Sequence, residues 1–152
     1  LSLMTVSFRR LSLLFVTLTM ILPGALSACS SGTTEHSFPM ASIDHMPAEV
    51  QSAPVTVQQA YQFAVSNPDV MHELPCYCGC GPIGHTSNYS CYVAEQNADG
   101  SVKTFDNHAL GCSICVDITQ DAMRLLKEGK TVPEIRTYVD QTYAKYGLSN
   151  MP

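Results

Sequence analysis

Three cysteines occupy alternate positions in the run Cys76-Tyr-Cys78-Gly-Cys80, two more form Cys112-Ser-Ile-Cys115, and Cys91 lies between the two groups. Thiolate-rich sets of this kind select Cu(I), Zn(II) or another thiophilic ion over magnesium or calcium. A C-x-C-x-C run on a flexible loop can turn its sulfurs towards one point, and Gly79 and Gly81 leave backbone N–H groups free to stabilise thiolates. The C-x-x-C pair has the spacing that lets two sulfurs hold one ion at the start of a helix. His85 and His108, the latter four residues before Cys112, add imidazole ligands, and His72 is a more distant third. The expected metal set is therefore Cys76, Cys78, Cys80, Cys91, Cys112, Cys115, His85 and His108, around one four-ligand ion or a small cluster.

Two other chemistries fit the same residues. An even number of cysteines in a small exported domain can be a disulfide framework. Against it, a bridge between Cys76 and Cys78, or between Cys78 and Cys80, closes a very small strained ring, and strained disulfides are easily reduced. A C-x-x-C pair at a helix N-terminus gains thiolate character from the helix dipole and can exchange disulfides. The thioredoxin arrangement needs a βαβ context, however, and no strand pattern precedes Cys112. Metal binding is the leading expectation, with an exported thiol–disulfide redox protein or a disulfide-stapled interaction module as alternatives. No nucleophile–base–orienter set for hydrolysis and no Gly-rich phosphate loop stands out, so a conventional enzyme is not expected. The net charge of −5, without a Lys/Arg cluster, argues against nucleic acid as a partner.

The elements that must position these residues read as mainly α. Thr56 can cap a helix whose Val57, Ala60, Tyr61, Ala64 and Val65 share one apolar stripe. Asn67-Pro68 ends it and restarts a short turn, which Pro75 stops. From Pro75 to His85 the chain is rich in glycine and cysteine and fits no periodic element, so it is a loop. Tyr89–Glu95 and Ser101–Phe105 can pair across Asn97-Ala-Asp-Gly100 as a short hairpin. A helix from Cys112 or Asp117 to Glu128 turns Ile118, Ala122, Leu125 and Leu126 inward and ends at Gly129. Thr131-Val-Pro-Glu134 is a capping box opening a last helix, with Ile135, Tyr138, Val139, Thr142, Tyr143 and Tyr146 on its buried face and Gly147 as its stop. The expected fold is one small helical domain over residues 55–152, with an irregular cysteine-rich loop and a short β-hairpin. Its core is thin enough for a metal or cross-links to contribute appreciably.

Upstream of the domain, residues 1–28 have the layout of an export signal: basic Arg9-Arg10, an apolar run Leu11–Leu22, and a break at Pro23-Gly24. The run is too short and wrongly flanked for a stable transmembrane span, and Leu11-Ser-Leu13 fits a twin-arginine signal poorly. Leu1 makes Met4 the expected start residue. Leu26-Ser-Ala-Cys29 resembles the lipobox of bacterial lipoproteins. That resemblance implies a diacylglycerol thioether on Cys29, often with a further acyl chain such as palmitate, and a protein held at the cell membrane facing away from the cytoplasm. Residues 29–54 then read as a flexible tether. His36, Met40, His45 and Met46 are soft-metal ligand types on it, although an inert tether is the stronger expectation.

Leu74-Pro-Cys-Tyr-Cys-Gly-Cys80, then Gly84-His-Thr-Ser-Asn-Tyr-Ser-Cys-Tyr92, then His108 and Gly-Cys-Ser-Ile-Cys-Val-Asp-Ile118, together resemble the family named for its PCYCGC motif, also described as the CYCxC family of (seleno)proteins. The resemblance covers Val55 to Tyr146. It implies a bacterial lipoprotein or exported protein and brings no established mechanism. The selenocysteine of some relatives implies redox exchange or binding of a soft ion rather than a purely structural bridge. The expected partners are the membrane, through the lipid, and the metal ion; the sequence identifies no protein partner.

Overall fold

The computed structural model describes residues 36–152, so the segment expected as an export signal and Cys29 lie outside the described residues. Six α-helices and one two-stranded antiparallel sheet make up the described chain: α1 (Ala48–Gln51), α2 (Val55–Ser66), α3 (Pro68–His72), β1 (Val93–Gln96), β2 (Val102–Phe105), α4 (His108–Gly111), α5 (Ser113–Lys127) and α6 (Val132–Tyr143). This is the mainly α domain with a small hairpin that the sequence implies. No helix among the described residues is long and apolar enough to cross a membrane.

The core forms where α5 packs between α2 and α6. On α5, Ile118, Ala122 and Leu125 are buried, with Leu126 at the margin; on α6, Ile135, Val139 and Tyr143 are buried. The capping box at Thr131 closes as expected, with the Glu134 carboxylate accepting the Thr131 N–H at 2.8 Å. Tyr146 departs from its expected buried position. The helix ends at Tyr143 and tightens into a 3-10 turn, which rotates the ring off the buried stripe and leaves it 55 % exposed.

On α2, Ala60, Tyr61 and Ala64 are buried as the stripe requires, but so is Phe63, which lies off it. The helix starts at Val55 from an extended Pro54, whose carbonyl accepts the Gln58 N–H at 3.0 Å; Thr56 caps nothing. The reason for the second buried face is the preceding chain. Phe38 meets Phe63 edge-on with ring centroids 4.9 Å apart. Ala41 and Gln62 exchange two hydrogen bonds, at 3.1 and 2.7 Å, and Asn67 donates to the Pro39 carbonyl at 2.9 Å. Residues 36–54 of the segment expected as a tether thus lie against the domain, and Met46 and Val50 enter its core. With its thioether buried, Met46 does not join exposed His36, Met40 and His45 as a ligand.

The hairpin pairs Val93 with Phe105 and Gln96 with Val102, with irregular register between. Gly100, at φ +82°, supplies the left-handed residue of its turn. Beyond α6 the chain folds back over the cysteine loop. Gly147 passes so close that a Cβ there would stand 2.8 Å from the Tyr77 carbonyl oxygen, so only glycine fits. Asn150 then binds the loop at several points. Its side-chain oxygen accepts the Cys76 N–H at 2.7 Å, its amide donates to the Ser87 carbonyl at 3.1 Å, and its backbone N–H donates to the Cys76 carbonyl at 3.1 Å.

Replacing Asn150 with Ala removes the side-chain bonds and leaves a buried backbone N–H without its partner. Urea unfolding should show a loss of about 1–3 kcal/mol, and native-state alkylation of Cys76 and Cys80 should quicken. Unchanged stability and unchanged thiol protection would show that the tail does not hold the loop.

Candidate metal centre

The loop that carries Cys76, Cys78 and Cys80 lies between α3 and a 3-10 turn at Gly81–Ile83. Alternate side chains of a non-helical stretch point to one side, and here the cysteines share the inner side while Tyr77 faces away and donates to the Asp140 carboxylate of α6 at 2.7 Å. The sulfurs of Cys76, Cys78 and Cys80 consequently lie within 4.8 Å of one another. Gly79, at φ +83°, makes the turn between the second and third cysteines.

Cys112 and Cys115 approach from the opposite wall. Cys112, extended at φ −122° and ψ 101°, is the N-cap of α5, and Cys115 lies in the first turn. Three side chains fix that turn by donating to the Cys115 carbonyl: Tyr92 at 2.9 Å, Thr119 at 3.1 Å and Asn88 at 3.3 Å. Cys91 enters from the 3-10 turn Tyr89–Cys91, and His108 opens α4.

These elements bring all six cysteines into one cluster. The Cys76 sulfur is 3.3 Å from those of Cys78 and Cys115; Cys115 is 3.2 Å from Cys91 and 3.7 Å from Cys78; Cys80 is 4.0 Å from Cys91. The His108 Nε2 atom stands 3.3 Å from the Cys78 sulfur. All six are free thiols, and none of these pairs is near the about 2.05 Å of a disulfide. Sulfurs bound to one tetrahedral zinc at 2.3 Å lie about 3.8 Å apart, so the cluster is already close to coordination spacing. Four overlapping groups could hold an ion: Cys78, His108, Cys112 and Cys115; Cys76, Cys78 and Cys80; Cys76, Cys91 and Cys115; and Cys80, Cys91 and His108.

The two expected histidines take different places. His85 belongs to none of those four groups. Its Nδ1 is 3.5 Å from the Cys91 sulfur and its Nε2 is 3.4 Å from the Asp106 carboxylate, an arrangement that orients a ligand from outside the first shell of donors. Asp106 also accepts the His108 backbone N–H at 2.7 Å, so one carboxylate holds the His85 ring and the start of the helix that carries His108, and the two rings meet edge-on at 5.1 Å. His72 stays outside the centre, its ring against Tyr89 at 4.3 Å.

Charge within the cluster is uneven. Hydrogen bonds from Cys115, then Cys91, hold the Cys76 thiol well below the usual thiol range despite its burial. The bond with Cys76 pushes Cys115 up, with Cys91 and burial adding to it; burial pushes Cys78 and Cys80 up. Negative charge at Cys76 is thus favoured by neighbouring S–H groups instead of water. A cation can replace those protons.

Sequence reading missed Asp106 and Asn150. Asp106 had a local signal, because an aspartate two residues before His108 is placed to accept its N–H in an Asx-turn. Asn150 had none, being far along the chain in a tail without periodicity.

No curated protein and no solved structure matches the chain. A family model described as a protein of unknown function with the PCYCGC motif matches residues 18–150, which covers the described domain almost to its end. The chain belongs to this PCYCGC-motif family.

Proposed function

We propose that the protein is an exported lipoprotein, anchored through Cys29, that binds a thiophilic metal ion, Cu(I) or Zn(II), through its clustered cysteines for sequestration, delivery or sensing at the membrane surface. The observation that carries the metal reading is the convergence of six free thiols and His108 on one point from four separate segments of the chain. A core needing only apolar filling has no reason to spend its interior on sulfur in contact with sulfur. Soft d10 ions satisfy such a donor set, and oxygen-seeking cations do not. Support for export and anchoring comes from the residues around Cys29 alone.

Thiol–disulfide exchange is the second reading, favoured by Cys112, a half-exposed thiol at a helix start beside Cys115. It requires one cysteine pair that equilibrates reversibly with glutathione. Protein that carries no metal and shows such a pair would replace the first reading with the second.

Protein purified without oxygen should carry Cu(I) or Zn(II) by native mass spectrometry, and the double variant Cys78→Ser/Cys80→Ser should carry none. Metal-free wild-type protein that also refuses added ions would sink the proposal. Because Cys78, Cys80 and Cys115 are held protonated around neutral pH, binding must expel their protons. Chelator competition should therefore give weaker binding at pH 6 than at pH 8, by about tenfold per pH unit for each proton released. An affinity independent of pH would show that these thiols are not the ligands. Finally, Cys29→Ala should shift the protein from the membrane fraction to the soluble exported or unprocessed fraction; continued membrane retention would dismiss the lipid anchor.

A further inference from the structure

We infer that the centre is binuclear, with an outer ion held by Cys78, His108, Cys112 and Cys115 and an inner ion held by Cys76, Cys80 and Cys91. This rests on the metal-binding reading above and specifies its stoichiometry.

A single ion does not account for the donors present. The one group of four is Cys78, His108, Cys112 and Cys115, a Cys3His set of the kind that holds tetrahedral Zn(II). An ion there leaves three cysteines over. Those three are not scattered. Cys76 and Cys80 lie within 4.8 Å of each other, as do Cys76 and Cys91, while Cys80 and Cys91 are 4.0 Å apart. They form a triangle of their own, able to enclose a second ion. The two sets have no donor in common and together use all six cysteines and His108.

Burial differs between them. Cys76, Cys80 and Cys91 are at most 2 % exposed, whereas three of the four outer donors, Cys78, Cys112 and His108, are only half-buried and the fourth, Cys115, forms the buried floor of the outer set. Two of the inner sulfurs also have polar neighbours outside both sets: the Asn150 amide donates to Cys80 at 3.6 Å, and His85, held by Asp106, faces Cys91 at 3.5 Å. Hydrogen-bonded neighbours of this sort orient metal ligands. Cys76 joins the two sets. Its sulfur is 3.3 Å from those of both Cys78 and Cys115, so the two ion positions adjoin at Cys76.

The outer position, nearer solvent, is the port through which ions enter and leave, and the inner position is the retained one. The test is native mass spectrometry of the whole chain loaded without oxygen with Zn(II), and separately with Cu(I) from a chelator complex. Wild-type protein should hold two ions. The variant Cys112→Ser/His108→Ala, altered only at half-exposed positions, should keep one ion, and that ion should resist chelators more than tenfold longer than the outer ion of the wild type. Cys91→Ser, checked for folding by circular dichroism, should also hold one, now readily removed. A wild-type stoichiometry of one, or loss of all metal from Cys112→Ser/His108→Ala, overturns the binuclear centre and leaves metal binding standing. A stoichiometry above two overturns it as well. No bound ion of either kind removes the metal-binding reading itself.

Discussion

The structure depends on sulfur packed against sulfur in the interior. Cys76 touches Cys78 and Cys115, and Cys115 touches Cys91, at 3.2–3.3 Å. A free thiol is among the most readily buried groups and behaves as a small hydrophobe with a weak donor. That lets the cluster serve as core: S–H groups fill the space between the loop, α5 and the hairpin, and hydrogen bonds from Cys115 and Cys91 favour the thiolate form of Cys76. The packing that closes the interior is therefore the same packing that brings the candidate metal ligands together.

What holds the sulfurs apart is a set of polar contacts fixed at a distance from them. Tyr92, Asn88 and Thr119 meet at the Cys115 carbonyl, and Tyr61, edge-on to Tyr92 at 4.9 Å, sends its hydroxyl to the Asp106 carbonyl at 2.8 Å. Asp106 in turn holds the His85 ring and the start of the helix that carries His108. Asn150 fixes Cys76 from the far side. The Cys115 wall is thus oriented by buried Tyr92, Asn88 and Thr119, so displacing it means displacing packed side chains. Buried polar networks of this density are costly when partly satisfied. Here the exceptions among the described residues are the side-chain oxygens of Ser87 and Asn88, both within the segment running under the cluster.

The helices were legible because their signals are local. The Thr131 capping box and the inward positions of α5 depend on residues a few places apart. The identity of the donors was legible too, since cysteine density needs no geometry to be noticed. Three features were not. Phe63 is buried by residues upstream of the helix that carries it, a contact that periodicity within the helix cannot show. Tyr146 lies beyond the point where α6 changes its winding, so extending the 3.6-residue period misplaces the ring. The distinction between His108 at the ligand sets and His85 behind Cys91 depends on which ring nitrogen faces which sulfur, and spacing carries no such information.

The arrangement also bears on why metal binding fits better than disulfide exchange. An exchanger works by a thiolate that attacks an incoming disulfide and a second thiol that resolves the intermediate, so the attacking sulfur must be both ionised and accessible. At Cys76 and Cys78 the two properties are separated, which leaves Cys112 as the thiol on which exchange would have to run. The sulfur favoured as thiolate, Cys76, is fully buried, and the half-exposed Cys78 is pushed towards its protonated form. A bulky disulfide cannot reach the first and gains little from the second. An ion is small enough to reach the half-exposed edge at Cys78 and Cys112, and the donor groups run inward from that edge through Cys115 to Cys76. That inward run of donors is what favours the proposed metal binding over exchange at Cys76 or Cys78.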